Sequence, residues 1–205
     1  MFTGIIEALG RIESIESVGG DRRMVFRAAA EYSHFLRGTQ LGDSIAVNGC
    51  CLTATGFSDD RFTADLSAET LNLTTSGRWD VGAKVNLERA LTPEKPLGGH
   101  MVSGHVDGVG ELLERYEDAR STRMRFRVPD ALARYIARKG SICIDGVSLT
   151  VNDVEGSTGK TVFGVNIIPH TLVHTTLGEL QPGQAVNLEV DLIARYLERL
   201  IEARS

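Results

Sequence analysis

Three side chains of the sequence could carry proton-transfer or covalent chemistry: Cys51, His105 and Ser148. An imidazole exchanges its proton near neutral pH, so His105 is a candidate general base. The Cys51 thiol and the Ser148 hydroxyl are candidate nucleophiles or groups that position a water molecule. A lone histidine can also be structural, and a cysteine is often a small buried apolar residue. The surrounding sequence indicates whether these side chains are catalytic or structural.

Each of these side chains lies in a block that recurs in the other half of the chain. The matched blocks are MFTGIIEALG (1–10) with MVSGHVDGVG (101–110), SIAVNGCCLT (44–53) with SICIDGVSLT (141–150), FTADLSAETL (62–71) with FGVNIIPHTL (163–172), and GAKVNLE (82–88) with GQAVNLE (183–189). Four matches in the same order identify an internal duplication. Within them His105 replaces Ile5, and Ser148 replaces Cys51. Because folding requires no such exchange, the exchanged positions indicate function.

The elements that position these blocks are short strands. Asn48-Gly49 and Asp145-Gly146 are strong hairpin-turn dipeptides between strand-like runs. Short strands joined by tight turns predict one small antiparallel barrel per half. The strands expected in this way are Met24–Phe26, Ser44–Val47, Arg61–Leu66, Lys84–Leu87, Met124–Val128, Ser141–Ile144, Val162–Ile167 and Ala185–Val190. The helices expected are Ala29–Leu36, Ala131–Arg138 and single turns at Ala68–Asn72 and His170–Val173.

The proline- and glycine-rich stretch 92–99 separates the two copies, so we expect barrels over residues 1–97 and 98–190. Residues 191–205 have no counterpart in the first copy. Their pattern predicts an amphipathic helix whose apolar face carries Ile193, Leu197, Leu200 and Ile201. That face either packs on the chain's own barrel or forms a contact between subunits.

Composition excludes several classes of protein. The 205 residues carry a net charge of −5, with no basic face or tail for nucleic acid or an anionic membrane. No apolar run is long enough to span a membrane, and the N-terminus does not resemble a signal peptide. Cys50, Cys51 and Cys143 do not have the spacing of a zinc site or a disulfide framework. We therefore expect reduced thiols, no metal and a cytoplasmic protein.

Several motifs together resemble riboflavin synthase of the alpha-chain type. They are MFTGI (1–5), NGCCLT (48–53), GGHMVSGH (98–105), DGVSLTV (145–151) and IPHT (168–171), and the resemblance extends over essentially the whole chain. It implies an all-β fold of two similar six-stranded antiparallel Greek-key barrels in tandem, followed by a C-terminal oligomerisation helix. It also implies a homotrimer with active sites between neighbouring subunits, and it allows an association with lumazine synthase.

The implied reaction needs no cofactor. One molecule of 6,7-dimethyl-8-ribityllumazine gives a four-carbon unit to a second, which yields riboflavin as product and a ribitylamino-pyrimidinedione. Since donor and acceptor are the same compound, two copies of one pocket can hold both. Holding the two rings face to face would supply most of the rate enhancement.

The resemblance also implies which residues line the site. His105, Cys51 and Ser148 are the catalytic candidates. Lys139 matches a ligand-contacting lysine, although it could equally be a solvated charge. Asp145 and Asp191 match acidic positions of the family, but they also suit a turn and a helix cap. The substrate-binding candidates are Gly4, Ile5, Ile6, Cys51, Leu52, Thr53, Asp65, Leu66, Ser67, Ala68, Glu69, Thr70, Gly104, His105, Val106, Lys139, Ser148, Leu149, Thr150, Ile168, Pro169, His170, Thr171, Leu172 and Val173.

Two other functions compete with this interpretation. A non-enzymatic lumazine- or flavin-binding antenna protein could have the same barrels, but it would not need both turn blocks, both threonine pairs and His105. A flavin reductase barrel would be followed by a nicotinamide-binding glycine motif, which is missing here. For the enzyme we expect each repeat to hold a whole pocket. His105 would then share a pocket with Ser148 and Thr150, and Cys51 would share the other with Thr53.

Overall fold

A computed structural model of the chain describes residues 1–156 and 160–204. Two six-stranded antiparallel barrels follow one another along the chain. The first contains β1 (Ala8–Val18), β2 (Asp21–Ala28), β3 (Ser44–Val47), β4 (Cys50–Ser58), β5 (Arg61–Leu66) and β6 (Lys84–Arg89). The second contains β7 (Gly108–Asp118), β8 (Ser121–Arg127), β9 (Ser141–Ile144), β10 (Val147–Glu155), β11 (Val162–Ile167) and β12 (Ala185–Val190).

Both barrels are closed and have the same Greek-key topology. In the first, the order around the barrel is β1-β2-β5-β4-β3-β6, so that β2 pairs with β5 across an intervening hairpin. The second repeats this order with β7-β8-β11-β10-β9-β12. A closed barrel has no free strand edge, which protects short strands from pairing with other chains. The predicted fold class of two tandem barrels and a terminal helix is confirmed.

The predicted hairpins are confirmed by their backbone geometry. Asn48 and Gly49 have φ values of 44° and 79°, and Asp145 and Gly146 have 45° and 83°. A tight type I′ turn requires φ > 0 at both central residues, which asparagine, aspartate and glycine tolerate best. These turns fix the register of β4 and β10, the strands that carry Cys51 and Ser148.

The two helices predicted in loops between strands are shorter than the sequence pattern predicts. Only a 3-10 turn at Ala30–Tyr32 forms in the first loop, and only α2 (Asp130–Ala133) in its counterpart. Both segments fold into successive turns over the end of a barrel, where Phe35 and Leu132 are buried. The predicted single turns are confirmed as α1 (Ala68–Leu73) and α3 (Pro169–His174). The terminal helix is confirmed as α4 (Leu192–Glu202). No helix of the described ranges is long and apolar enough to cross a membrane.

Each barrel has its own core. Phe26 stacks on Phe62 with ring centroids 5.0 Å apart in the first barrel, and Phe126 stacks on Phe163 at 5.6 Å in the second. All four rings are fully buried and fill the barrel interiors, where burial of such side chains contributes about 2–3 kcal/mol each. The cores therefore repeat as closely as the strand order does.

The barrels meet through reciprocal contacts. The Asn86 side-chain amide donates to the Asp145 carbonyl at 2.9 Å, and the equivalent Asn187 amide donates to the Asn48 carbonyl at 2.8 Å. A Cβ atom on Gly49 would lie 2.8 Å from the Gly146 nitrogen, so the two turns touch backbone to backbone. The chain's duplication is thus also a two-fold arrangement in space.

One buried carboxyl breaks that two-fold arrangement. Asp145 occupies the position of Asn48, and its Oδ1 accepts from the Asn187 N–H at 2.8 Å, as Asn48 Oδ1 accepts from Asn86 N–H at 2.7 Å. Burial raises the pKa of Asp145 from 3.8 to about 7. A carboxyl with a raised pKa holds its proton in the folded state where the unfolded chain has released it. The free energy of unfolding therefore falls as the pH rises from about 4 to about 7.

Replacing Asp145 with asparagine should remove this pH dependence, because an amide has no proton to lose. We expect Asp145→Asn to match the wild type near pH 4 and to exceed its free energy of unfolding by about 4 kcal/mol at pH 8. Denaturant unfolding at both pH values measures the difference. Asn48→Asp is the matched control and should show the opposite sign. An equal effect of Asp145→Asn at both pH values would contradict a buried, titrating carboxyl.

Candidate active site

The segments that precede β1 and β7 each leave their own barrel and lie on the other. The Gly4 carbonyl accepts from the Ser148 N–H at 2.7 Å, and the Gly104 carbonyl accepts from the Cys51 N–H at 2.8 Å. Ile6 packs against the second barrel's core, and Val106 against the first. Each candidate nucleophile is therefore covered by a segment from the opposite half of the chain.

This arrangement corrects the expected grouping of the catalytic candidates. His105 follows the glycine that binds Cys51, so it belongs to the first barrel's surface and not to that of Ser148 and Thr150. Ser148 is instead paired with the Gly4–Ile5 segment. The expectation that a single repeat holds a whole pocket was wrong, because both surfaces draw on both halves.

The segments that precede β1 and β7, called the crossing segments, can approach Ser148 and Cys51 this closely only with glycine at positions 4 and 104. Gly4 and Gly104 have φ values of +73° and +82°, which side chains rarely adopt. A Cβ on Gly4 would lie 2.5 Å from the Ser148 Cβ. A Cβ on Gly104 would lie 2.6 Å from the Cys51 Cβ. The sequence match of these glycines thus reflects a contact between the barrels.

Two buried carboxylates hold the crossing segments. Glu88 on β6 accepts from the backbone N–H groups of Thr3 and Gly4 at 2.8 and 3.0 Å. Glu189 on β12 accepts in the same way from Ser103 and Gly104 at 2.6 and 2.9 Å. Sequence reasoning did not single out either residue, although both end the matched GAKVNLE and GQAVNLE blocks.

The first surface exposes Cys51, Thr53 and the crossing His105. Cys51 is half-buried, whereas Cys50 and Cys143 are fully buried. Burial raises the pKa of Cys50 to about 12 and also raises the pKa of Cys143, so both are inert thiols at neutral pH. Thr53 lies two residues beyond Cys51 on β4, and side chains two apart on a strand share a face.

The second surface contains a residue that the sequence analysis missed. His100 Nδ1 lies 2.7 Å from Ser148 Oγ, the distance of a strong hydrogen bond. Burial lowers the pKa of His100 against the opposing effect of the Asp191 carboxylate, so the imidazole is neutral at pH 7. His100 precedes the second repeat and its counterpart would precede Met1, so comparison of the repeats contains no signal for it.

Several of the other predicted site residues have partners within their own barrel. In the first barrel, Arg23 forms two hydrogen bonds with Asp65 at 2.7 and 3.0 Å, and this hydrogen bonding lowers the pKa of Asp65. Ser67 caps α1 by accepting from the Thr70 N–H at 3.2 Å. Leu52 and Leu66 are buried in the barrel core, so only their backbone could meet a ligand.

On the second surface, α3 carries exposed side chains at its start. Ile168 is 57% exposed, and His170 stacks on His174 with ring centroids 4.2 Å apart. Lys139 is exposed in a left-handed turn before β9, with φ of 68°. The described residues contain no group of three or more histidine, cysteine, aspartate or glutamate side chains placed to hold a metal ion.

Comparison with known proteins agrees with this division of the chain. The lumazine binding domain family matches twice, at residues 3–90 and 103–191. A riboflavin synthase of Photobacterium phosphoreum is 46% identical over 202 residues, covering 98% of this chain and 89% of that protein. A riboflavin synthase of Mycobacterium bovis is 44% identical over 207 residues, covering 99% of both.

Solved structures of similar fold contain the corresponding ligands. LumP complexed with 6,7-dimethyl-8-(1'-D-ribityl) lumazine matches with a TM-score of 0.80 at 26% identity, covering 93% of this chain and 99% of that one. LumP complexed with riboflavin matches with a TM-score of 0.80 at 28% identity and the same coverage. Both similarities extend over the two barrels together.

Proposed function

The chain belongs to the riboflavin synthase family and is an enzyme of the transferase class, and we propose that its two crossed surfaces bind the two reacting molecules of 6,7-dimethyl-8-ribityllumazine. One ring would lie at Cys51 and His105, and the other at Ser148 and His100. The observation that carries this proposal is the reciprocal pair of hydrogen bonds from Cys51 to Gly104 and from Ser148 to Gly4. Because the two hydrogen bonds are equivalent in the two repeats, the chain has two similar surfaces, one at Cys51 and one at Ser148.

The chemistry divides between orientation and proton transfer. Two similar surfaces can hold two copies of one compound, and fixing both replaces a bimolecular encounter, which can lower the barrier by several kcal/mol. His105 is the general base that takes a proton from a ring methyl group. Cys51 and Ser148 meet the electron-poor ring carbons as nucleophiles or as groups that orient water. No residue of this scheme calls for a metal or an organic cofactor.

The two sides of the reaction differ in their acid–base groups. At Ser148 the neutral, buried His100 fixes the hydroxyl, whereas at Cys51 the histidine is on an exposed crossing segment. A ring bound at Ser148 therefore meets a held hydroxyl, and a ring bound at Cys51 meets a solvent-accessible base. This difference allows one molecule to act as donor of the four-carbon unit and the other as acceptor.

The competing function is an antenna protein that binds a lumazine or flavin without turnover. The LumP structures support ligand binding by this fold, but their sequences are only 26–28% identical to the chain. The riboflavin synthases reach 44–46% over nearly the whole chain. The higher identity and the retention of reactive groups on both surfaces support the enzyme.

Binding stoichiometry tests this proposal. Titration of the slow His105→Gln protein with the lumazine should saturate at two molecules per chain, because both surfaces bind the same compound. Ser148→Ala and Cys51→Ala should each weaken one of the two binding events. Saturation at one molecule per chain, unchanged by either substitution, would contradict a donor and an acceptor surface and would favour the antenna function.

The terminal helix supports a homotrimer with active sites between neighbouring subunits. Its polar side faces the chain's own barrel, where Arg195 pairs with Asp107, and Arg134 with Glu198 at 2.6 Å. Its apolar side faces outward, with Ile193, Leu197, Leu200 and Ile201 between 54% and 65% exposed. Of the two alternatives for this face, packing on the chain's own barrel does not occur. A neighbouring subunit would remove these side chains from water.

Charging this apolar face should break the assembly. Leu200→Glu places a carboxylate where a neighbour would bury a leucine, and we expect sedimentation velocity to show single chains in place of trimers. Arg199→Glu, on the solvated side of the same helix turn, is the control and should sediment as the wild type. An unchanged sedimentation coefficient for Leu200→Glu would place the subunit contact elsewhere.

The free thiols and the two surfaces also bear on the compartment and the partners of the protein. Three free thiols suit a reducing compartment, and we place the protein in the cytoplasm. The partner that the surfaces require is the small-molecule lumazine. An association with lumazine synthase would bring the supply of substrate close to both surfaces.

A further inference from the structure

A buried carboxylate binds the backbone N–H groups of Ser103 and Gly104, which directly precede His105. Glu189 Oε1 accepts from the Ser103 backbone N–H at 2.6 Å and from the Ser103 hydroxyl at 2.8 Å, and Oε2 accepts from the Gly104 N–H at 2.9 Å. Three donors converge on one side chain that is 3% exposed. No other side chain of the described residues binds these donors.

Further hydrogen bonds connect Ser103 and Gly104 to His105 and Cys51 on the first surface. Ser103 Oγ, held by Glu189, accepts from the His105 backbone N–H at 3.1 Å. The next carbonyl, that of Gly104, accepts from the Cys51 N–H at 2.8 Å. A chain of short contacts therefore joins Glu189 to the backbone of both His105 and Cys51.

The equivalent carboxylate in the other half is held differently. Glu88 binds Thr3 and Gly4 with the same geometry, but Lys95 Nζ also lies 3.0 Å from its Oε1. Among the described residues Glu189 has no such ion pair, and burial raises its pKa against the effect of the Ser103 hydrogen bonds. The N–H groups of Ser103 and Gly104, next to His105, thus depend on one carboxylate, while the Gly104 carbonyl and Val102 are held by backbone hydrogen bonds.

We propose that Glu189 is the positioning residue of His105, and that it acts by holding the Ser103–Gly104 backbone against Cys51. Glu88 does the same for the other segment, which carries Ile5 in the position of His105 and so presents no base of its own at Ser148. The inference rests on the proposed role of His105 as general base. Glu189 itself does not contact substrate.

Glu189→Gln tests this with nearly unchanged volume. The amide nitrogen cannot accept a hydrogen bond, so at least one of the backbone donors loses its partner. We expect kcat to fall about 10-fold, with a smaller change in KM, because small displacements of a catalytic group lower the rate of chemistry. In a His105→Gln background the same substitution should change kcat by about twofold or less, since the group it positions is gone.

Glu88→Gln is the matched control. It loosens the other crossing segment, so its effect should multiply with that of His105→Gln. If Glu189→Gln does not fold, Ser103→Ala carries the same cycle, since it removes the hydroxyl between Glu189 and the His105 N–H.

Multiplying effects of Glu189→Gln and His105→Gln, or unchanged turnover in a folded Glu189→Gln protein, would overturn the inference while leaving His105 as the base. Unchanged turnover in His105→Gln alone would instead overturn the role of His105 and this inference with it.

Discussion

Replacing His105 with glutamine should lower kcat by about 100-fold while the protein stays folded and still binds the lumazine. General acid–base catalysis by one positioned side chain typically contributes 10²–10⁴-fold, and glutamine keeps the polarity and approximate size of histidine without its basicity. The side chain is exposed, and among residues 1–156 and 160–204 it has no hydrogen-bond partner that the fold would lose. Steady-state rates of riboflavin formation, with ligand binding measured separately, give the result.

His34→Gln is the control for this substitution, because His34 is an exposed histidine in the loop between β2 and β3 of the first barrel. Its turnover should equal that of the wild type. Wild-type kcat in a folded His105→Gln protein would remove the general base from the proposed reaction, whatever else binds at Cys51.

A methyl group on Gly104 should lower catalytic efficiency at least as much as His105→Gln lowers kcat. In Gly104→Ala the new Cβ would lie 2.6 Å from the Cys51 Cβ and 2.8 Å from the Phe2 ring, distances that force the backbone apart. The crossing segment would then lose its contact with Cys51, and we expect kcat/KM to fall by about 100-fold or more. The positive φ adds a strain of about 1–2 kcal/mol to the folded state.

Gly42→Ala separates the effect of backbone strain from the effect of the steric clash. Gly42 has φ of +89°, but a Cβ there would meet nothing within 4 Å. This variant should lose a similar amount of stability through backbone strain and keep its turnover. Equal turnover in Gly104→Ala and Gly42→Ala would show that the crossing contact does not matter for the reaction.

Much of the fold was predictable from local patterns. The repeated blocks and the Asn48-Gly49 and Asp145-Gly146 dipeptides are properties of neighbouring residues, and tight turns leave those residues few alternatives. Strands such as Arg61–Leu66 were predicted with their final bounds. The Ala29–Leu36 helix was overpredicted, because apolar spacing alone does not show that a segment bends over a barrel end around Phe35.

The site was predicted less completely, for two physical reasons. Alignment of the repeats shows that His105 and Ile5 are equivalent, but it does not show which barrel each one touches. That depends on the hydrogen bonds of Gly4 to Ser148 and of Gly104 to Cys51, which join residues from opposite halves of the chain. His100 escaped notice because it has no counterpart in the first repeat. Its role follows only from its contact with Ser148 Oγ.

The most direct measurement of the central claim is the product balance with the lumazine as the only reagent. Protein treated with chelator and dialysed free of small molecules should convert two molecules of 6,7-dimethyl-8-ribityllumazine into one riboflavin and one ribitylamino-pyrimidinedione. Chromatography of the quenched reaction measures all three compounds. Equal amounts of the two products, each half of the lumazine consumed, are what two surfaces holding donor and acceptor predict. Bound lumazine that is never consumed, or riboflavin formed without the pyrimidinedione, would contradict the account.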